Sequence, residues 1–141
     1  MTTNRDLLKQ RLKSSGYSIT STRLHVFTAL EKSEPLSMEQ LVKQVSSHVN
    51  RASVYRTIDL FEKLGIVQRL QIGWKYKLEL SNEFQEHHHH IICTRCGKIN
   101  TFREPGNLDY MLSKIAEAEN FVLQHHQLEL RGLCKSCQKQ T

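Results

Sequence analysis

Two Cys-x-x-Cys units constrain this chain more than any other feature. Cys93-x-x-Cys96-Gly97 and Cys134-x-x-Cys137 account for all four cysteines in 141 residues. Each pair can set two thiolates on one tetrahedral ion, so together they form a closed four-sulfur site of the kind zinc occupies structurally. The 37 residues between the pairs leave room for a helix and two strands. The fold must therefore bring its last strand back to its first. Four idle thiols, or a redox dithiol, are the competing readings. Disulfides are disfavoured if the chain is cytoplasmic, where thiols stay reduced.

Immediately before the first pair runs His87-His88-His89-His90. Successive side chains of a strand point to opposite faces, so an extended run pairs His87 with His89 and His88 with His90. Each pair can offer two imidazoles to a different ion and needs further ligands from elsewhere. Imidazole with carboxylate suits Zn²⁺ or Fe²⁺ ahead of Mn²⁺. Solvated histidines without a ligand role are the plainer alternative. An expression tag is a poorer one, because a tag would sit at a terminus.

Charge divides the chain. Residues 1–80 carry 13 Lys and Arg against 7 Asp and Glu, whereas residues 81–141 carry 7 of each. The whole net charge of +6 thus lies in the first part, while six of the eight histidines lie in the second. That split reads as a basic module meeting an anion and a neutral module meeting metal, against the alternative of merely solvated basic helices. No run approaches the ~18 apolar residues of a membrane span, and the start lacks a signal peptide's apolar core. The expectation is a cytoplasmic protein with neither a membrane nor a small organic substrate as partner.

Hydrophobic periodicity predicts four helices and then a hairpin. Leu7, Leu8 and Leu12 mark the first helix. Thr20 caps the second, and Ser37 with Gln40 forms a capping box for the third. Asn50 caps the fourth, whose Val54, Ile58, Phe61 and Leu64 make one buried stripe before Gly65 stops it. Arg51, Ser53, Tyr55 and Arg56 face outward from its first turns. The period then changes to two through Leu70, Ile72, Trp74, Tyr76, Leu78 and Leu80, with Gly73 at the turn. This is the pattern of a winged helix-turn-helix, which reads a major groove with the N-terminal residues of its last helix. Beyond the polar Ser81–Glu86 come a strand at His87–Cys93, a strand near Ile99–Phe102, a helix opened by Asn107, and a strand at Phe121–Arg131.

The chain resembles the ferric uptake regulator family over nearly its whole length. The strings that carry the likeness are "TSTRLHVF", "RASVYRTIDLFEKLGIV", "HHHHIICTRCGK" and "CKSC". The resemblance implies an α+β protein: a winged helix-turn-helix DNA-binding domain at 1–80, a hinge at 81–86, and an α/β dimerisation and metal-binding domain with a four-cysteine zinc site at 87–141. It implies a homodimeric, metal-sensing repressor, and no enzyme, that closes onto a palindromic, A·T-rich, double-stranded operator when loaded.

Carried onto this chain, Cys93, Cys96, Cys134 and Cys137 match the structural zinc site. His87, His89, Asp109 and His126 match a second site, with His89 standing where the family usually has Asp. Glu79, His88 and His90 match the hinge site. That site is incomplete here, because Pro35 stands where the family offers a histidine. Glu34, another group or water completes it, or the second site has taken over sensing. Arg23, Tyr55 and Arg56 match DNA contacts, Ser53 replaces the usual Thr, and Ser18 stands where a minor-groove lysine is common. A peroxide sensor of the same family, using bound iron, is the alternative function. A zinc enzyme is a more distant one, for the chain has no H-E-x-x-H and no nucleophile pattern. A protein-interaction module is the third.

Overall fold

The computed structural model describes residues 1–139, which form two compact units divided between Glu86 and His87. In the first unit the helices are α1 (Asn4–Ser14), α2 (Ser21–Lys32), α3 (Met38–Gln44) and α4 (Arg51–Lys63). Each starts where a side chain can take up an orphan N–H. Thr20 accepts from the Arg23 amide and Asn50 from the Ser53 amide, and both halves of the Ser37–Gln40 box are formed. The helices bury Leu8, Leu12, Val26, Leu41, Val54, Ile58 and Phe61 in one core. Burying a side chain of this size stabilises by roughly 1.5–3 kcal/mol. Phe84, from the segment expected to be a hinge, is also buried, its ring edge-on to Phe27 at 5.3 Å.

Two antiparallel strands, β1 (Val67–Ile72) and β2 (Lys75–Leu80), form the wing, and Ile72 pairs with Lys75 across a two-residue turn. This is the hairpin expected from the change of period, and its register divides the alternating residues between two faces. Directly paired residues share a face. Leu70 and Ile72 therefore share one face with Lys77 and Lys75, whereas Tyr76, Leu78 and Leu80 lie on the other with Gln71, Arg69 and Val67. Continuing a period of two through a two-residue turn hides the change of face.

The second unit contains β3 (His89–Cys93), β4 (Ile99–Phe102), α5 (Leu108–Ala118), β5 (Glu129–Gly132) and α6 (Lys135–Gln138). Its sheet has the order β4-β3-β5, with β4 antiparallel and β5 parallel to the central β3. The last strand is shorter than expected, because residues 121–128 form no regular element. Asn107 occupies the cap position of α5 but makes no side-chain cap. None of the helix's residues is buried, and Tyr110, Met111 and Ile115 are more than half exposed. Among the described residues no helix is long and apolar enough to cross a membrane.

Candidate metal centre and nucleic-acid interface

The register of the small sheet assembles the first cluster. His89 pairs with Phe102, so following β3 back two residues and the β4 chain on by two sets His87 opposite Glu104. On the other side His90 pairs with Glu129, so three residues earlier in each chain His87 meets His126. The donor atoms of His87, His89, Glu104 and His126 all lie within 4.8 Å of one another. The Glu104 carboxylate oxygen Oε1 is 2.7 Å from His87 Nε2, 2.6 Å from His89 Nε2 and 2.8 Å from His126 Nε2. His89 is 3% exposed, which makes it the dry floor of the cluster. Hydrogen bonding from His89 first, then from Asp109, His87 and His126, holds the Glu104 carboxyl down to about 2 against the upward push of desolvation.

The four residues that converge differ at one position from the ligand set expected from sequence. Glu104, which no sequence motif marks, supplies the carboxylate that converges with the three imidazoles. Asp109, in the first turn of α5, is not among the four converging residues. Glu104 lies beyond β4 and just before Pro105, and only the pairing register reveals it. The donor set fits a divalent cation. His89 and His126 Nε2 are 3.4 Å apart, close to the ~3.3 Å edge of a tetrahedron with zinc–nitrogen bonds near 2.0–2.1 Å.

The four cysteines converge at the other end of β3. Gly97, at φ +76°, turns the chain so that its amide donates to the Cys93 carbonyl at 2.9 Å. Cys93 pairs with Gly132 in the parallel register, which delivers Cys134 and Cys137 alongside. All four sulfurs lie within 4.8 Å of one another, and Cys96 and Cys134 Sγ are 3.7 Å apart. Zinc–sulfur bonds of about 2.3 Å give a tetrahedral edge of about 3.8 Å. Backbone amides of Cys134 and Cys96 pull the Cys93 thiol down to about 5, whereas burial pushes Cys137 up to about 12. A coordinated cation deprotonates its thiol ligands outright. The set fits one closed structural ion.

The remaining expected ligands lie as follows. The rings of His88 and His90 meet edge to face, 4.8 Å between centroids. Glu79 is buried in β2 and accepts from Gln68 Nε2 at 2.7 Å. Pro35 is buried beside Leu36, which exchanges backbone hydrogen bonds with Leu78.

In the first unit the N-terminal turns of α4 expose Arg51, Tyr55 and Arg56. Arg51 is ion-paired to Glu39 of α3, and its guanidinium lies 5.4 Å from the Tyr55 ring centre. Arg56 donates to the Ser53 hydroxyl at 3.3 Å. An open cleft between α2 and α4 is lined by Arg23, Ser53 and Arg56 with Thr20, Thr22 and Thr57. Two guanidinium groups among hydroxyls, beside the N-terminus of α2, suit an anion of phosphate size.

Comparison with known proteins matches this arrangement. The model of the Ferric uptake regulator family matches residues 14–131. A ferric uptake regulation protein of Synechococcus elongatus is 32% identical over 138 residues, covering 94% of this chain and 93% of its own. The solved Helicobacter pylori ferric uptake regulator, described as having three functional metal binding sites, superposes with a TM-score of 0.79 at 27% identity, over 96% of this chain and 91% of that one. A zinc-bound manganese uptake regulator superposes at 0.67 and 31% identity, over 90% of this chain and 98% of its own.

Proposed function

The chain belongs to the ferric uptake regulator family and is a metal-responsive transcription regulator; we propose that it is a repressor whose hold on operator DNA is set by the cluster around Glu104. The observation that carries this is the convergence of His87, His89, Glu104 and His126 on one point. A divalent cation there supplies the charge that lets three imidazoles and a carboxylate share one position. Zn²⁺ and Fe²⁺ come ahead of Mn²⁺ on the imidazole-rich donor set. We assign the four cysteines to structural zinc.

The three imidazoles arrive from before β3, from its start and from before β5. Ligation therefore ties the chain on both sides of the sheet into one arrangement. If that arrangement is the DNA-competent one, metal shifts the population toward it by its differential affinity alone. A coupling of roughly 1–3 kcal/mol is enough for a graded response. Arg23, Arg51, Ser53, Tyr55 and Arg56 then serve as the contacts to a double-stranded, palindromic, A·T-rich operator in the cytoplasm. The two-fold operator calls for a homodimer. An 11-residue α5 that buries none of its residues, followed by exposed Phe121 and Val122, is the surface a second copy would cover.

The deciding experiment selects a duplex from a random pool with the metal-loaded protein, then measures binding with and without metal. Metal-dependent binding lost in His126→Ala supports the reading. Binding indifferent to metal would remove it.

A further inference from the structure

Trp74 is the only tryptophan in the chain and is 99% exposed. It occupies the second position of the two-residue turn at the tip of the wing, after Gly73 at φ +61°. Asn120 is the sole non-glycine at positive φ among the described residues, so Trp74 keeps an ordinary negative φ. Glycine at positive φ followed by a residue at negative φ makes a type II′ hairpin turn, which suits the right-handed twist of the strands. The Gln71 side-chain amide braces the turn by donating to the Gly73 carbonyl at 2.8 Å. The indole therefore projects into solvent from a turn whose backbone is specified.

Six-residue strands at about 3.3 Å per residue carry this tip roughly 20 Å from the base of the wing. Its cations are divided. Arg69 is committed to Glu62 at 2.8 Å and lies over the Tyr76 ring at 4.1 Å. Lys75 and Lys77 sit on the opposite face beside Ile72 and Leu70. The wing leaves the end of α4, the helix whose first turns expose Arg51, Tyr55 and Arg56. A projecting hairpin with two lysines behind a single aromatic tip is complementary to a groove walled by phosphates and floored by something an indole can touch.

We propose that Trp74 is a minor-groove contact: the wing lays its indole into the A·T minor groove flanking the site read by α4, with Lys75 and Lys77 on the bordering phosphates. The inference rests on the DNA-binding reading above. Its chemistry is specific. The floor of an A·T minor groove presents only acceptors, adenine N3 and thymine O2, whereas G·C adds a guanine amino donor. The indole N–H is donor only, so it is matched by A·T and opposed by that amino group. Its ring faces meet the deoxyribose walls, and an aromatic side chain inserted there contributes affinity without needing base-specific geometry.

Because Trp74 is the sole tryptophan, its fluorescence reports this contact directly in the full-length, metal-loaded protein. The probe is a duplex recovered by the wild-type protein from a random-sequence pool. Acrylamide quenching of Trp74 should fall several-fold when the duplex is added, and Trp74→Ala should bind roughly 10-fold more weakly. Trp74→Phe should recover much of that affinity while losing discrimination against G·C pairs placed in the flank. Full quenching in the complex, with Trp74→Ala binding like wild type, overturns the proposal and leaves DNA binding by α4 standing. Shielding of Trp74 that rises with protein concentration in the absence of DNA also overturns it, in favour of contact between copies. If no duplex is recovered or bound, the DNA-binding reading falls first and this one with it.

Discussion

Glu104 sits opposite His87 across the small sheet, and its carboxylate reaches His89 Nε2 at 2.6 Å. One loop carboxylate thereby meets two histidines of the same face, and His126 completes the group at 2.8 Å from Glu104. Removing the carboxylate should matter more to the cation than removing the nearby acid on α5. We expect Glu104→Gln to weaken metal binding at this cluster by at least about 10-fold while the cysteine site keeps its ion. Asp109→Asn, which alters a partner of the ligand, should have the smaller effect. Titration with Co²⁺, read by its visible absorption, distinguishes the two variants, and the opposite order would restore Asp109 as the ligand.

The alternation of the histidines was legible because a strand has a period of two, and nothing more than that is needed to separate His87 and His89 from His88 and His90. The helix starts were legible for a similar local reason, since Thr20, Ser37 and Asn50 carry their caps in their own side chains. Glu104 was not, because its membership depends on which residue faces which across two strands. The tight turn after Cys93 holds that information. The Cys93 amide donates to the Lys98 carbonyl at 2.8 Å, and counting outward from that bond pairs residue 92 with 99 and so 87 with 104. In α5 the spacing of Leu108, Met111, Leu112, Ile115 and Ala116 sets an apolar stripe on one face, but a stripe alone does not say whether its cover is the same chain or another copy.

Losing a cysteine should act on the fold before it acts on sensing. Cys96→Ser is expected to release one zinc equivalent per chain and to lower the thermal midpoint of the second unit, because metal affinity there is folding free energy. Strong chelation of the wild-type protein should reproduce the effect. Metal content by elemental analysis, with calorimetry on the same samples, checks both. Full zinc and an unchanged melting transition in Cys96→Ser would contradict the structural assignment.

The cap of α4 offers a prediction about stability. Asn50 accepts from the Ser53 amide at 2.9 Å, holding the first turn of α4 that presents Arg51, Tyr55 and Arg56. Asn50→Ala should cost about 1 kcal/mol of stability in the first unit, measured by urea unfolding, and Asn50→Ser or Asn50→Asp should retain most of it. DNA affinity should fall with the loss of the cap even though the side chain itself carries no charge.

The cations of that helix are not equivalent. Arg51 is already ion-paired with Glu39, whereas Arg56 donates to the uncharged Ser53 hydroxyl at 3.3 Å. Arg56→Ala should reduce the salt slope of log K by about 0.9 if it meets a phosphate, as one fewer counterion is released. Arg51→Ala should change affinity less, and Glu39→Gln should strengthen binding by freeing Arg51. An unchanged salt slope in Arg56→Ala would place that residue away from the backbone.

The central claim is that cation binding at the His87, His89, Glu104 and His126 cluster governs the DNA-competent state. The most direct measurement is the affinity of the selected duplex as Zn²⁺, Fe²⁺ or Mn²⁺ is titrated, for wild type, Glu104→Gln and His126→Ala, each with its cysteine site intact. The account requires the wild type to gain roughly 5- to 150-fold in affinity on metal addition, and both variants to lose most of that gain. Equal gains in all three proteins would show that the cluster binds metal, if at all, without controlling the DNA.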